Sequence, residues 1–227
     1  MPFQDLPVRL AEVTGLIEQA RVRGGHDQQV TVIAVTKTYG PDAPLAAHQA
    51  GLHDVGENKV QEALSKAPMV EVPLRWHLIG HLQRNKVKQL DLFHLVHSMD
   101  SGRLADALHA QGVSRGRPMD VLLQVNVSGE DSKGGYEPAD VDGEADRLMG
   151  LAGLSVRGVM TMAPFDADEA TLRKVFSGAR AVGERLRAAG HPARELSMGM
   201  SGDYEVAVEE GATLVRLGTV LFGARSA

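Results

Sequence analysis

Eight short apolar segments alternate with helical patterns along the 227-residue chain, and this alternation constrains the fold most strongly. We predict strands at 30–37, 53–58, 75–80, 95–100, 120–127, 156–162, 195–200 and 214–222. Apolar residues at helical spacing predict helices at 5–23, 42–50, 57–66, 83–91, 101–111, 138–149, 168–189 and 202–210. Eight successive βαβ units in a chain of this length predict an α/β fold, a (β/α)8 TIM-type barrel with an extra N-terminal helix.

An open, doubly wound sheet is the alternative architecture. A dinucleotide-binding sheet of that kind carries a G-x-G-x-x-G turn after its first strand, whereas residues 36–41 here are TKTYGP. This difference favours the barrel. Because no Pro-, Gly- or Ser-rich linker divides the chain, we interpret residues 1–227 as a single domain.

The composition argues against several classes of protein. Hydrophobic residues make up 43% of the chain but aromatic residues only 4%, which predicts a mainly aliphatic core. A net charge of −5 does not favour binding to nucleic acids or acidic membranes. Cysteine is absent, which excludes disulfides and thiolate chemistry and suits a reducing compartment. With no signal-peptide pattern and no apolar run of about 20 residues, we expect a cytoplasmic protein.

Polar and small residues stand where the predicted strands end. In a (β/α)8 barrel, the carboxyl-terminal ends of the strands form the mouth at which active sites are built. The residues at these ends are Lys37, Glu57, Asn58, Gly80, His81, Asp100, Asn126, Met162, Ser201, Gly202, Gly218 and Thr219. We therefore expect a functional site among them.

Lys37 ends the first predicted strand, VTVIAVTK. Its parity matches that of Ile33 and Val35, so its side chain can point into the barrel. An amine in a partly dry pocket has a lowered pKa and becomes a nucleophile that can form a Schiff base with a carbonyl compound. The alternative is a lysine that extends from the mouth into water, and this stretch alone does not decide between them.

Two small-residue turns follow the seventh and eighth predicted strands. Ser201-Gly202 opens a helix, and Gly218-Thr219 marks the end of strand eight. Loops at these two positions commonly bind phosphate in barrels of this class, through free backbone N–H groups. Ser201 could instead be a plain N-cap, but the presence of two such turns favours a phosphate.

A lysine and a phosphate site in one mouth fit two chemistries, a class I aldolase or a pyridoxal 5'-phosphate (PLP) site. Arg216, on the same face as Gly218, favours PLP because a cation there can meet the pyridine nitrogen. Its alternative role is an ion pair with an acidic residue near the core. HLIGH (77–81) lacks the glutamate of a zinc motif, so we predict no metal site. RNKVK (84–88) is interpreted as a solvated helix face.

Six segments together resemble a known family. They are IAVTKTY, VGENKVQEALSK, WHLIGHLQRNK, VLLQVNVSGEDSKGG, RGVMTM and LSMGMSGDYEVAVEEGATLVRLGTVLFG, and they cover nearly the whole chain from about residue 30. In these segments the chain resembles the pyridoxal phosphate homeostasis protein family, relatives of the N-terminal barrel domain of alanine racemase. The resemblance implies a single-domain (β/α)8 barrel that holds PLP.

The resemblance also implies roles for individual residues. Lys37 would be the Schiff-base lysine, Asn58 would lie beside the cofactor, and Arg216 would face the pyridine nitrogen. The phosphate would be bound by Ser201, Gly218 and Thr219. The chain departs from the usual family pattern at Tyr39, His81 and Tyr136.

By this resemblance the protein would buffer PLP and deliver it to PLP-dependent acceptor enzymes, without a dedicated reaction or catalytic residues. The racemases take a tyrosine base from a second, β-rich domain, and the residues after strand eight are expected to be too few for one. A weak or specialised amino-acid racemase is the alternative, and an aldolase becomes remote.

We expect a monomer. The roles of Lys133 and of RNKVK are left open.

Overall fold

Eight parallel strands close into a barrel in the computed structural model, which describes residues 3–130 and 134–223. The strands follow one another around the barrel in chain order. They are β1 (Thr31–Val35), β2 (Asp54–Glu57), β3 (Arg75–Leu78), β4 (Phe93–Met99), β5 (Met119–Gln124), β6 (Leu154–Met160), β7 (Glu195–Ser197) and β8 (Leu214–Leu217). The parallel pairing of β1 with β8 closes the barrel and confirms the predicted fold.

Every strand except β3 is followed by an α-helix, and α1 precedes β1 as the predicted extra helix. The helices are α1 (Leu6–Gly24), α2 (Asp42–Gln49), α3 (Val60–Lys66), α4 (Gly102–Ser114), α5 (Val141–Met149), α6 (Glu169–Ala188), α7 (Tyr204–Glu209) and α8 (Thr219–Phe222). Short 3-10 helices occur at Ala67–Met69, Arg84–Gln89 and Pro138–Asp140. Within the described residues, no helix is both long and apolar enough to cross a bilayer.

Several predicted boundaries shift by a few residues, and two predicted elements differ most from the structure. The segment 83–91 forms a 3-10 helix, Arg84–Gln89, in which the Lys86 N–H donates to the Gln83 carbonyl. Strand eight was predicted to reach residue 222, but β8 ends at Leu217. The Gly218 carbonyl accepts from the N–H groups of residues 221 and 222, so the apolar run after it winds into α8. Hydrophobicity alone does not distinguish a buried strand from a buried helical turn.

Two apolar regions stabilise the barrel. The larger region lies between the strands and the surrounding helices, where Phe176 and Leu186 of α6 are fully buried. The smaller region fills part of the barrel interior with Ile33, Leu95, Leu122, Met160 and Leu214. Burying each such side chain contributes about 1.5–3 kcal/mol relative to exposure. As predicted from the composition, the interior cluster is aliphatic and contains no aromatic ring.

Helix α7 is held in place by α1 and α6. Arg23 of α1 and Arg173 of α6 both donate to the carboxylate of Glu209 at the end of α7. The backbones of α1 and α7 approach so closely that a Cβ added to Gly24 would lie 2.4 Å from the Glu209 carbonyl oxygen. Only glycine allows this approach. The loop between β7 and α7 is therefore anchored at its far end.

Candidate functional site

The residues singled out in the sequence lie at the carboxyl-terminal mouth of the barrel. They occupy the turn after β1, the position after β2, the loop after β7, the strand β8 and the start of α8. In chain order they are Lys37, Asn58, Ser201, Arg216, Gly218 and Thr219. Lys37 is half-buried and lies beyond the end of β1, whereas the sequence predicted it as the last strand residue.

The turn that carries Lys37 is fixed on both sides. Thr38 has a φ of 69°, a left-handed conformation that a β-branched residue rarely adopts. Its N–H donates to the carboxylate of Glu62 in α3. On the other side, the Thr36 hydroxyl donates to Glu57 at 2.6 Å. Such strain persists only where surrounding contacts determine the conformation.

Lys66 of α3 is the centre of this support. Its ammonium donates to Oε1 of Glu57 at 2.9 Å, to Oε1 of Glu62 at 2.7 Å and to the Thr36 carbonyl at 2.8 Å. These contacts use all three donors of the ammonium. Lys66 as a whole is 5% exposed. A buried cation is tolerated here because two carboxylates and a carbonyl replace its water.

Glu57 is fully buried in this cluster, at the end of β2. Burial raises the pKa of its carboxyl above the usual value, although hydrogen bonds from Thr36 and Lys66 oppose the shift. Both bonds go to Oε1, and Oε2 has no hydrogen-bond partner among the described residues. Thr36, Glu57, Glu62 and Lys66 are called the outer cluster below, because they lie between the barrel wall and α3.

A second turn converges on the hydroxyl of Ser201. Its Oγ accepts from the backbone N–H groups of Gly218 and Val220, each at 3.3 Å. Ser201 is half-buried and Thr219 is exposed. Backbone N–H groups that point to one place, beside a hydroxyl and with little side-chain bulk, are the usual components of an anion site.

The two turns are neighbours because β1 and β8 are paired. Ile33 lies opposite Arg216, and Ala34 lies opposite Leu217. One residue further on, a Cβ added to Gly218 would lie 3.6 Å from the Cβ of Val35. Lys37 comes two residues after Val35. The closed barrel thus places the lysine turn beside the Ser201 turn, although 164 residues separate Lys37 from Ser201 in the sequence.

Arg216 is buried inside the barrel below these turns and is 5% exposed. Its guanidinium donates to the Ser197 hydroxyl at 2.7 Å and to the Thr161 carbonyl at 3.1 Å. Among the described residues it makes no salt bridge, so the alternative of an ion pair with a core acid is not what the structure shows. Burial lowers the pKa of Arg216 to about 10, opposed by the charge of Asp203. The guanidinium remains protonated at neutral pH.

Asn58 lies against the end of the neighbouring strand. A Cβ added to Gly80, which follows β3, would come 2.5 Å from the Asn58 carbonyl oxygen and 2.9 Å from its Cβ. Gly80 therefore allows the two loops to touch. Asn58 is half-buried at the mouth, with an amide that can both donate and accept hydrogen bonds.

Comparison with known proteins decides the family. A model described as alanine racemase, N-terminal domain, matches residues 17–226. A protein of Pseudomonas aeruginosa named pyridoxal phosphate homeostasis protein is 42% identical over 219 residues, which are 95% of this chain and 94% of that protein. A protein of the same name from Aquifex aeolicus is 39% identical, over 96% of this chain and 97% of that protein. Another from Escherichia coli K12 is 36% identical, over 98% of both chains. The chain belongs to the pyridoxal phosphate homeostasis protein family.

Solved structures agree with this family membership. PipY of Synechococcus elongatus PCC7942 is 36% identical, and its structures without PLP and with PLP bound match at TM-scores of 0.86 and 0.85. Each match covers 96% of this chain and 100% of PipY. Alanine racemase of Clostridium difficile 630 matches at a TM-score of 0.80 with 13% identity, and the chain covers 58% of it. That likeness shows the fold alone.

Tyr39, one departure from the usual pattern of the homeostasis family, packs against two other rings. Its ring lies 5.4 Å from that of Phe3 and 5.4 Å from that of Phe222, and its hydroxyl donates to the Gly223 carbonyl at 3.4 Å. The three rings connect the lysine turn to α8 and to the segment before α1. Tyr39 is thus a packing residue at the edge of the mouth.

The other two departures form hydrogen bonds. The Tyr136 hydroxyl donates to Glu144 at 2.7 Å, and burial together with this carboxylate raises the pKa of the phenol. His81 is exposed and pairs with Asp100 at 3.0 Å. Both residues have partners within the fold. Lys133, whose role the sequence left open, lies outside the described residues.

The segments HLIGH and RNKVK occupy different environments in the structure. His77 is buried in the barrel interior whereas His81 is exposed, so HLIGH does not bring two ligands together. In the described part of the chain, no group of three or more His, Cys, Asp or Glu residues could hold a metal ion. The side chains of RNKVK are exposed or half-buried apart from Val87, as expected of a solvated helix face.

Several buried polar residues of the site were missed. Thr36 and Lys66 support the lysine turn, and Ser197 holds Arg216, but none of them was selected from the sequence. Parity could have indicated Ser197, because it faces the interior from a strand that pairs with β8. Lys66 offered only the weaker signal of a lysine at the end of an amphipathic helix.

Proposed function

We propose that this protein binds PLP at the carboxyl-terminal mouth and acts in PLP homeostasis, holding the cofactor reversibly and releasing it to acceptor enzymes. The observation that carries the proposal is the juxtaposition of the Lys37 turn and the Ser201 turn above the buried Arg216. Family membership and the PLP-bound structure of PipY support it.

The residues at the mouth fit the chemical groups of PLP. The phosphate would meet the N–H groups of Gly218 and Val220 and the hydroxyls of Ser201 and Thr219. Arg216 would face the pyridine nitrogen, and Asn58 would lie beside the ring. When bound, PLP supplies an aldehyde that condenses reversibly with a primary amine, here that of Lys37.

The protonation of Arg216 favours a carrier over an enzyme. Its pKa of about 10 keeps the guanidinium charged at neutral pH, so it can donate a hydrogen bond to the pyridine nitrogen but cannot accept a proton from it. A pyridine without a proton withdraws electrons less strongly than a pyridinium supported by a carboxylate. The site would therefore hold PLP with little activation of a bound amino acid.

A weak amino-acid racemase is the second candidate, favoured by the match to the alanine racemase N-terminal domain model. Turnover of an L- to a D-amino acid that disappears in Lys37→Ala would establish it and displace the carrier role. The homeostasis relatives support the carrier, since the chain covers 94–98% of their length but 58% of the alanine racemase.

The proposal includes a monomer with transient partners. All of the residues proposed to contact PLP come from one chain, so a second copy is not needed to complete the site. PLP-dependent enzymes that lack cofactor are the proposed acceptors. The cysteine-free composition suits a reducing compartment such as the cytoplasm.

PLP titration followed by borohydride reduction and peptide mapping tests this function. We expect one equivalent of PLP to be reduced onto Lys37, and Lys37→Ala to remove that label while leaving thermal unfolding nearly unchanged. Lys59→Ala is the matched control, because Lys59 is exposed beside Asn58 and should keep the wild-type label. Absence of PLP uptake, or a label spread over exposed lysines, would refute the proposal.

A further inference from the structure

A continuous chain of hydrogen bonds runs from Arg216 through the barrel to the opposite mouth. Arg216 donates to Ser197 Oγ at 2.7 Å, which lies 2.8 Å from Nδ1 of His97. Nε2 of His97 lies 3.0 Å from Nδ1 of His77, and Nε2 of His77 lies 2.9 Å from Oδ1 of Asp54. These five residues, on β8, β7, β4, β3 and β2, are called the inner chain.

The chemistry of its two ends fixes which atom donates and which accepts in each hydrogen bond of the inner chain. The Asp54 carboxylate can only accept, so Nε2 of His77 carries a proton. With His77 neutral, its Nδ1 accepts from Nε2–H of His97, and Nδ1 of His97 accepts from the Ser197 hydroxyl. Ser197 Oγ then accepts from Arg216, which can only donate. In this arrangement each group has one partner on either side.

The reverse direction leaves a group unsatisfied. If His97 donated through Nδ1, Ser197 Oγ would accept from both His97 and Arg216. The Ser197 hydroxyl proton would then need another acceptor, and no further hydrogen bond of this hydroxyl occurs among the described residues. Ser197 is fully buried, so water is a poor substitute. Burial is the largest cause of the lowered pKa of His97, which agrees with a neutral ring.

The inner chain buries polar groups between a cation and a carboxylate, and packing alone does not require such groups. Ser197 and His97 are fully buried and His77 is 2% exposed, yet the cation and the carboxylate stand at opposite ends. At the amino-terminal mouth, Asp54 also accepts from Arg75 at 2.7 Å, and the Arg75 side chain is 54% exposed. Polarised hydrogen bonds in a dry interior strengthen one another. The chain thus stabilises a buried cation that has no carboxylate in contact.

We propose that the inner chain is a positioning relay, in which Asp54, His77, His97 and Ser197 orient the Arg216 guanidinium toward the cofactor and so set PLP affinity. The inference rests on the proposed function, because it takes Arg216 to face the pyridine nitrogen. None of the four relay residues needs to touch PLP. Their action reaches it only through the direction in which Arg216 is held.

Nitrogen-15 NMR of histidine side chains in the PLP-free protein tests the relay without reference to PLP. We expect His77 and His97 to be neutral near pH 7, each with its proton on Nε2. In Asp54→Asn, the signals of His97 should shift although Asp54 does not touch that ring. A proton on Nδ1 of His97, a charged His77, or His97 signals indifferent to Asp54→Asn would overturn the proposal.

PLP affinity, measured by titration, tests the consequence for binding. Ser197→Ala removes the acceptor of Arg216, and we expect about a tenfold weaker PLP complex, as for loss of a hydrogen bond to a charged group. His94→Gln is the matched control, because His94 contacts the ring of His77 edge-on but is outside the chain. It should bind PLP as the wild type does. Equal affinities of Ser197→Ala and wild type would overturn the relay.

The two proposals fail in different ways. If the wild-type protein takes up no PLP, the proposed function falls, and the NMR result still decides whether the inner chain has the inferred direction. If wild-type protein and Ser197→Ala bind PLP equally, the function stands and the relay falls. Thermal unfolding of Ser197→Ala shows whether a loss of affinity reflects a damaged fold.

Discussion

Two buried polar networks lie on opposite sides of the barrel wall and solve the burial of charge differently. The outer cluster brings the ammonium of Lys66 into direct contact with the carboxylates of Glu57 and Glu62. The inner chain separates Arg216 from Asp54 by three side chains, those of Ser197, His97 and His77. The first network is compact and fixes a turn. The second is extended and is proposed to orient the Arg216 guanidinium.

The difference shows how one barrel can hold two parts of a site by different means. The lysine turn needs rigidity against the strain at Thr38, and direct ion pairs supply it. In its proposed role, Arg216 needs orientation in a dry interior, where a carboxylate in contact would compete with the ligand. Breaking a direct ion pair should therefore affect stability, whereas loss of Ser197 should affect mainly PLP affinity.

The largest expected effect is on the outer cluster. Lys66→Met leaves Glu57 and Glu62 without their cation, and we expect the free energy of unfolding to fall by about 3–5 kcal/mol. Urea denaturation measures the change. Lys59→Met, at an exposed lysine of the same segment, should stay within about 0.5 kcal/mol of wild type.

A second variant tests whether the lost stability comes from the unpaired buried carboxylate. Glu57→Gln in the Lys66→Met background removes the uncompensated buried charge, so part of the lost stability should return. A cost below about 1 kcal/mol for Lys66→Met would show that the outer cluster does not support the turn.

The pH dependence of stability should have opposite signs for Asp54 of the inner chain and Glu57 of the outer cluster. Burial alone would raise the pKa of Asp54, but hydrogen bonds from Arg75 and His77 outweigh it and lower the pKa below the usual value. A lowered pKa gives stability that is present above about pH 4 and is lost as the pH falls through the pKa of the folded state.

Glu57 should behave in the opposite sense. Burial raises its pKa, so its contribution is present below about pH 4 and is lost as the pH rises through the folded value. Urea denaturation of Asp54→Asn and Glu57→Gln across acidic and neutral pH measures both. Relative to wild type, the deficit of Asp54→Asn should shrink on acidification and that of Glu57→Gln should grow; parallel curves would contradict the contrast.

The smallest expected effect concerns the strain in the lysine turn. Thr38→Gly removes the cost of a left-handed β-branched residue, about 1–2 kcal/mol, and adds a smaller entropy to the unfolded chain. We expect a net gain of about 0.5 kcal/mol in unfolding free energy. The control, Thr171→Gly in the first turn of α6, should lose stability by a similar amount or more. A loss in Thr38→Gly would show that no strain is stored at this turn.

Much of the architecture could be predicted because local pattern and fold agree. All eight strands lie where apolar segments were found, and Asp168 caps α6 by accepting from the Thr171 N–H at 2.8 Å. The error at the end of β8 occurs where an apolar run suits two conformations. The error at Arg84–Gln89 occurs in a short polar segment whose one buried residue is Val87. The six proposed PLP contacts could be selected because the end of each strand marks the mouth.

The sequence by itself determined the order of strands and helices and the end at which Lys37, Ser201 and Arg216 gather, because hydrophobic period and strand parity are local properties. Only the tertiary structure decided the partners of the buried polar groups. His97 meets Ser197 across 100 residues of sequence, and Lys66 meets the Thr36 carbonyl across 30. Such contacts depend on how the barrel closes and on the angle at which each helix packs, and no local pattern encodes either.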